Sequence, residues 1–158
     1  MAGYHTGYAN LIGQHLVGIR NAHTDNAGYA LDQDNKNYSP EELVDKLYDE
    51  EIFRAFFNCT GLCLFVRKIY DNTTILKASS LLGIKFKESD IYSIGEKIYL
   101  KKLTFKIKCG FDIANYEIPK RFFETQAGRR KLNKDVIEKV KKYFSEKIKT
   151  KIKGSQTN

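Results

Sequence analysis

Residues 39–56, SPEELVDKLYDEEIFRAF, open a long helix and decide the fold class. Ser39 followed three residues later by Glu42 is a capping box, in which each side chain accepts a backbone N–H that the first turn leaves without a partner. Pro40 takes the first helical position, where a missing N–H loses nothing. Val44, Leu47, Tyr48, Ile52 and Phe56 then recur at the helical period and form one apolar stripe. A segment patterned this way has to bury that stripe against other helices.

The chain on either side supplies them. Asn72 is positioned to cap a short helix carrying Ile75, Leu76, Leu81 and Leu82, which Gly83 stops. Ser89 or Asp90 starts another, with Ile91, Ile94 and Ile98 along one face. Leu103, Phe105 and Ile107 alternate, so an extended conformation stays open there. Gly110 and Pro119 break the pattern. Asn133 opens a last amphipathic helix, expected over residues 133–149, through Val136, Val140, Phe144 and Ile148. Before Ser39 the chain is rich in Gly, Asn and Asp, and it reads as loop with one short helix around Leu11 to Ile19. There is no internal repeat and no βαβ alternation. The expectation is an all-α, multihelical domain over residues 1–153, with 154–158 a disordered tail.

Composition sets the bounds. The 158 residues are 42% hydrophobic and 13% aromatic, which fits one domain with a real core and is too apolar for disorder. No run approaches the roughly 18 apolar residues of a membrane span, and the N-terminus lacks an apolar signal region. Three irregularly spaced cysteines make no disulfide framework, so a reduced, cytoplasmic protein is expected. The net charge of +8 is uneven, because Lys120 to Lys153 holds 13 basic and 4 acidic residues. A basic tail of this kind admits three readings. It is a solvated helix face, an attractor for an acidic electron carrier, or part of a non-catalytic helical module binding nucleic acid or a protein partner. Few exposed aromatics and no nucleic-acid-binding signature count against nucleic acid.

Residues 58–67, NCTGLCLFVR, form the most apolar stretch of this polar chain. Cys63 ends a Gly61-Leu62 step there, and is either a small core hydrophobe or a thiolate ligand in a dry pocket. Spacing leaves both open. Cys59 would share a helical face with Cys63, but no further Cys or His pair completes a tetrahedral zinc site, so core packing is expected for it. Cys109 has no assigned role. His23 lies in a polar, Gly-rich stretch, where histidine is either a surface residue or a group that moves protons near neutral pH.

Three segments in order carry a family resemblance. Asn58-x-x-Gly61-Leu62-Cys63 resembles the Asp-x-x-Gly-Leu-Cys motif of tungsten-dependent aldehyde:ferredoxin oxidoreductases. Upstream, Arg20 to Tyr29 is similar to that family's Arg-x-x-His region, with His23 as the histidine. Downstream, Gly95-Glu96-Lys97-Ile98, Phe105, Gly110-Phe111 and Ile118-Pro119-Lys120-Arg121-Phe122 resemble its terminal Gly-Glu-Arg-Ile, Phe-Asn, Gly-Phe and Leu-Pro-x-Arg-Phe landmarks. The likeness runs from Gly18 to Phe123, about the last quarter of a family member.

The resemblance implies a multihelical C-terminal domain and a share in a cofactor site. Cys63 would be a ligand to a 4Fe-4S cluster lying beside tungsten (or molybdenum) held by two pterins. Asn58, Gly61 and Leu62 would face the cofactor, and His23 would move protons as an aldehyde is oxidised to an acid and electrons pass to ferredoxin. Asn58 departs from the family's aspartate. An amide offers one acceptor oxygen and sets a donor against the pterin's donors, so weaker pterin binding is expected. Leu100-Lys101-Lys102-Leu103 stands where the family has Asn-Leu-Glu-Arg. The pterin-binding domain and its Cys-x-x-Cys-x-x-x-Cys run are missing. The chain is therefore expected to be the C-terminal part of a longer enzyme, inactive alone, with the N-terminal pterin-binding domain or subunit as its partner.

Overall fold

In α3 (Pro40–Cys59) the capping box forms as its spacing requires. The Ser39 hydroxyl accepts the Glu42 N–H at 3.1 Å, and the Glu42 carboxylate accepts the Ser39 N–H at 2.8 Å. All five stripe residues, Val44, Leu47, Tyr48, Ile52 and Phe56, are buried. The computed structural model describes residues 7–19, 28–34, 36–62, 69–124 and 131–155, and among these it contains helices and no strand. The chain is all-α and multihelical.

Two long helices cover the stripe. α5 (Glu88–Lys108) runs antiparallel to α3. Tyr99 meets Tyr48 edge-on with ring centroids 5.2 Å apart, Gly95 lies against Ile52, and Phe86, just before α5, meets Phe56. The extended alternative for Leu103 to Ile107 is not adopted. On a helix these residues turn to different faces, and the main core takes Leu103 while Phe105 is left 70% exposed. α7 (Lys134–Ser155) packs on both α3 and α5, its first turn capped by Asn133, whose side-chain oxygen accepts the Asp135 N–H at 2.8 Å. The helix runs past the expected end at 149 and past the boundary at Lys153, through Gly154 and Ser155. Ile148 is buried and Ile152 still packs on the core, which keeps the helix attached. Residues 156–158 of the expected tail lie outside the described residues.

In the N-terminal segment the short helix expected around Leu11 to Ile19 is present but starts earlier, and a further helix follows it. The segment forms α1 (Tyr8–Ile12), a π-helical turn (Gly13–Val17) and α2 (Gly28–Gln33). Leu11, Ile12, Leu16 and Val17 are fully buried. The π turn is closed by Gly18 N–H to Gly13 O at 3.0 Å, the i to i+5 hydrogen bond that defines it. The Asp32 carboxylate of α2 accepts the Ala9 and Asn10 N–H groups at 3.0 and 2.9 Å, stabilising the positive end of α1.

α4 (Asn72–Leu81) and α6 (Arg121–Glu124) are smaller. Asp71, not Asn72, caps α4 by accepting the Thr74 N–H at 2.7 Å. Ile75 of α4 joins Phe56, Phe57 and Ile91 in a second, smaller core at one end of the α3–α5 pair. Leu81 and Leu82, which close α4, are 88% and 79% exposed.

Candidate functional site

The motif Asn58-x-x-Gly61-Leu62 occupies the C-terminal end of α3. The helix closes on itself there, with the Phe57 carbonyl accepting both the Thr60 N–H at 3.1 Å and the Thr60 hydroxyl at 2.6 Å. Gly61 then takes φ +74°, a left-handed conformation that costs a side-chain-bearing residue about 1 kcal/mol or more. This reversal turns the chain so that Leu62 packs back on the small core of Phe56, Phe57, Ile75 and Ile91. Asn58 and Gly61 are exposed. Cys59 is exposed as well, which corrects the expectation of core packing. The reason is its place as the last helical residue, turned away from the stripe that ends at Phe56 and Phe57. Cys63 and His23 lie outside the described residues.

A second polar cluster sits where the chain leaves the N-terminal helices for the Arg20 to Ala27 segment. The Tyr99 hydroxyl donates to the Val17 carbonyl at 2.7 Å, and the Lys106 ammonium donates to the Gly18 carbonyl at 3.3 Å. That ammonium also lies 3.8 Å from the centre of the Phe111 ring. His15 Nδ1 is 3.0 Å from the Tyr116 hydroxyl, and its ring packs on Phe122 at 5.2 Å. Burial and then the nearby Glu51 charge hold the Tyr99 phenol protonated well above its usual range, so it remains a donor. Burial lowers the Lys106 pKa, and Glu51 opposes that shift. The sequence reading passed over His15, Tyr99 and Lys106. Tyr99 and Lys106 are two helical turns apart, a signal visible only once α5 is read as helix to Lys108.

The environment of His15 gives a pH dependence. Burial first, and the Lys106 charge second, push its pKa below the ordinary 6.5. Folding therefore favours the neutral ring. This contribution to stability is complete above pH 6.5 and is lost as the pH falls from there towards the lowered folded value. The melting temperature of the native chain should drop faster than that of His15→Gln between about pH 6.5 and pH 5. Parallel curves would show that His15 carries no such linkage.

The landmarks at Gly95 and Glu96 have packing roles. A Cβ on Gly95 would collide with the Ile52 carbonyl oxygen and lie 3.0 Å from Ile52 Cγ2, so only glycine allows α3 and α5 to approach this closely. Glu96 accepts from the Tyr48 hydroxyl at 2.9 Å and from Lys151 at 2.7 Å. One turn earlier on α3, Asp45 accepts from Lys147 at 2.7 Å and from Tyr143 at 3.0 Å. Part of the basic charge of the tail is thus engaged within the fold. Beside it, a groove of about 750 Å³ runs between α5 and the end of α7, floored by Leu100 and Phe105 and flanked by Lys97, Lys101 and Lys108.

The sequence model of the family described as "Aldehyde ferredoxin oxidoreductase, domains 2 & 3" matches residues 4–151. The chain belongs to the aldehyde ferredoxin oxidoreductase family. It is 33% identical over 101 residues to a tungsten-containing aldehyde ferredoxin oxidoreductase of Thermococcus kodakarensis. It is 31% identical over 101 residues to the protein of the same description from Pyrococcus horikoshii. Each match covers 61% of this chain and 16% of the relative, so the matched segment spans about one-sixth of the length of these curated relatives. No solved structure matches the chain significantly. No helix among the described residues is long and apolar enough to cross a membrane.

The donor set of this aldehyde ferredoxin oxidoreductase segment fits part of a cluster site only. A four-iron cluster takes four thiolates, and the chain has three cysteines. Cys59 and Cys109 end α3 and α5, which are antiparallel, so they lie at opposite ends of a helix pair about 30 Å long. They cannot both serve one cluster. Among the described residues no group of three His, Cys, Asp or Glu side chains is placed to hold a metal ion.

Proposed function

We propose that this chain is the C-terminal part of a cytoplasmic iron–sulfur, tungsten- or molybdenum-pterin oxidoreductase that oxidises aldehydes to carboxylic acids. The observation that carries this reading is the match to the family over residues 4–151, with Asn58, Gly61 and Leu62 of the motif at the end of a long helix. In this reading the pterin-bound metal supplies two-electron redox chemistry, and the cluster carries electrons onward to ferredoxin. The chain's own residues do more limited work. Cys63 contributes one thiolate. The left-handed turn at Gly61 orients the residues that follow, while Leu62 anchors them on the small core and excludes water. Asn58 donates and accepts at the pterin edge with one acceptor fewer than a carboxylate. His23 accepts or returns a proton at an imidazole nitrogen. The lysines along the α5–α7 groove favour encounter with an acidic carrier such as ferredoxin.

The test is anaerobic reconstitution with iron and sulfide, on the chain alone and on the chain co-expressed with a pterin-binding part. The chain alone should hold no stoichiometric four-iron cluster and should not oxidise aldehydes, because it offers one ligand at the site. A full cluster in the isolated chain would overturn the shared-site reading. The alternative reading, a basic module on nucleic acid, requires DNA binding that weakens steeply with salt.

A further inference from the structure

We infer that the exposed apolar turn closing α4, formed by Leu81, Leu82 and Ile84, is the surface on which the pterin-binding part of the enzyme docks. The inference rests on the oxidoreductase reading above. These three large side chains fall within four residues and are 88%, 79% and 46% exposed. They are also held in a fixed shape. Ile84 N–H donates to the Ser79 carbonyl at 2.9 Å and Gly83 N–H to the Ser80 carbonyl at 3.0 Å, a helix closure around a glycine at φ +79°. In this closure the residue after the glycine ordinarily packs on an apolar residue one turn back. The residues one turn back are Ser79 and Ala78, which offer Ile84 little apolar surface. A structured turn presenting three apolar side chains to solvent marks an interaction site.

Its location and its rim identify the occupant. Ile75 of α4 and Leu62 of the Asn58 to Cys63 motif pack on the same small core, so a partner seated on this turn approaches the motif end of α3. Lys77, Lys85 and Lys87 flank the turn in sequence and are all exposed, outnumbering the exposed carboxylate beside them, Glu88, which accepts from Asn72. The rim therefore calls for carboxylates around an apolar centre. A second copy of the chain would bring lysines against lysines, which disfavours self-pairing. About five-sixths of the length of the relatives lies outside the matched segment, and the matching family model covers domains 2 and 3, leaving a first domain to be accommodated.

The experiment is co-expression of the tagged full chain with the pterin-binding part of an aldehyde ferredoxin oxidoreductase from the same source. The native chain should recover that part in equal amount. The variant combining Leu81→Glu and Leu82→Glu should lower recovery about tenfold or more while keeping native circular dichroism and melting temperature, since both side chains are exposed. The combination of Lys139→Glu and Lys142→Glu on α7 should leave recovery unchanged. Equal recovery by the Leu81 and Leu82 variant would overturn the docking assignment while leaving the oxidoreductase reading intact. A native dimer that this variant converts to monomer would overturn it in favour of a second copy. If the native, folded chain recovers no pterin-binding part, both the reading and the inference fall.

Discussion

Gly95→Ala should lower stability by about 2 kcal/mol net in urea unfolding. Alanine gains about 1 kcal/mol over glycine inside a helix, and overpacking costs about 3 kcal/mol when the obstructing atom cannot move aside. The atom in the way is the Ile52 carbonyl oxygen, part of the α3 backbone and unable to rotate clear as a side chain would. Overpacking therefore wins, and the α3–α5 crossing has to open. That crossing also sets Tyr48 against Tyr99 and Glu96 against Lys151, so the loss should spread to α7. Gly154→Ala is the control. A Cβ there meets nothing within 4 Å, and the substitution should be neutral or slightly stabilising. Equal effects at the two glycines would show that helix propensity, and not the close approach, decides.

The second large effect is expected at Cys63 in the assembled enzyme. Cys63→Ser should remove most of the cluster's redox signal, because a serine oxygen is a poor substitute for a thiolate on iron. Cys59→Ser should leave that signal intact and change stability by no more than about 0.5 kcal/mol, as for other exposed sites. Had Cys59 been in the core, the same change would have destabilised the fold. Equal loss of the signal from both variants would mean that the motif alignment selects the wrong sulfur or that both ligate.

Most of the helical framework was legible where local chemistry and burial agree. The capping box at Ser39, the stripe from Val44 to Phe56, the stop at Gly83 and the cap at Asn133 each depend on residues only a few positions apart. In the N-terminal segment the short helix around Leu11 to Ile19 was legible, but α2 was not, because it buries only Gly28 and carries no apolar stripe. Leu103 to Ile107 was ambiguous, since an alternating pattern fits a strand until α3 and α7 are in place to bury one face of a helix. At the candidate site, the motif at Asn58, Gly61, Leu62 and Cys63 was visible as a string. The supporting cluster of His15, Tyr99, Lys106 and Tyr116 was not, because its members come from three separate stretches of the chain.

The sequence by itself determined that the chain is all-helical, where the caps at Ser39 and Asn133 and the stop at Gly83 fall, and which family it resembles. These follow from short-range hydrogen bonding, side-chain periodicity and motif order, none of which needs a partner segment. Only the tertiary structure decided which apolar residues are buried. Leu11 and Val17 enter the core, whereas Leu81, Leu82 and Phe105 stay in water, because burial depends on what packs opposite. The same holds for the thiols. The antiparallel course of α3 and α5 puts Cys59 and Cys109 at opposite ends of the pair, a separation set by the packing of whole helices and invisible in the spacing of cysteines.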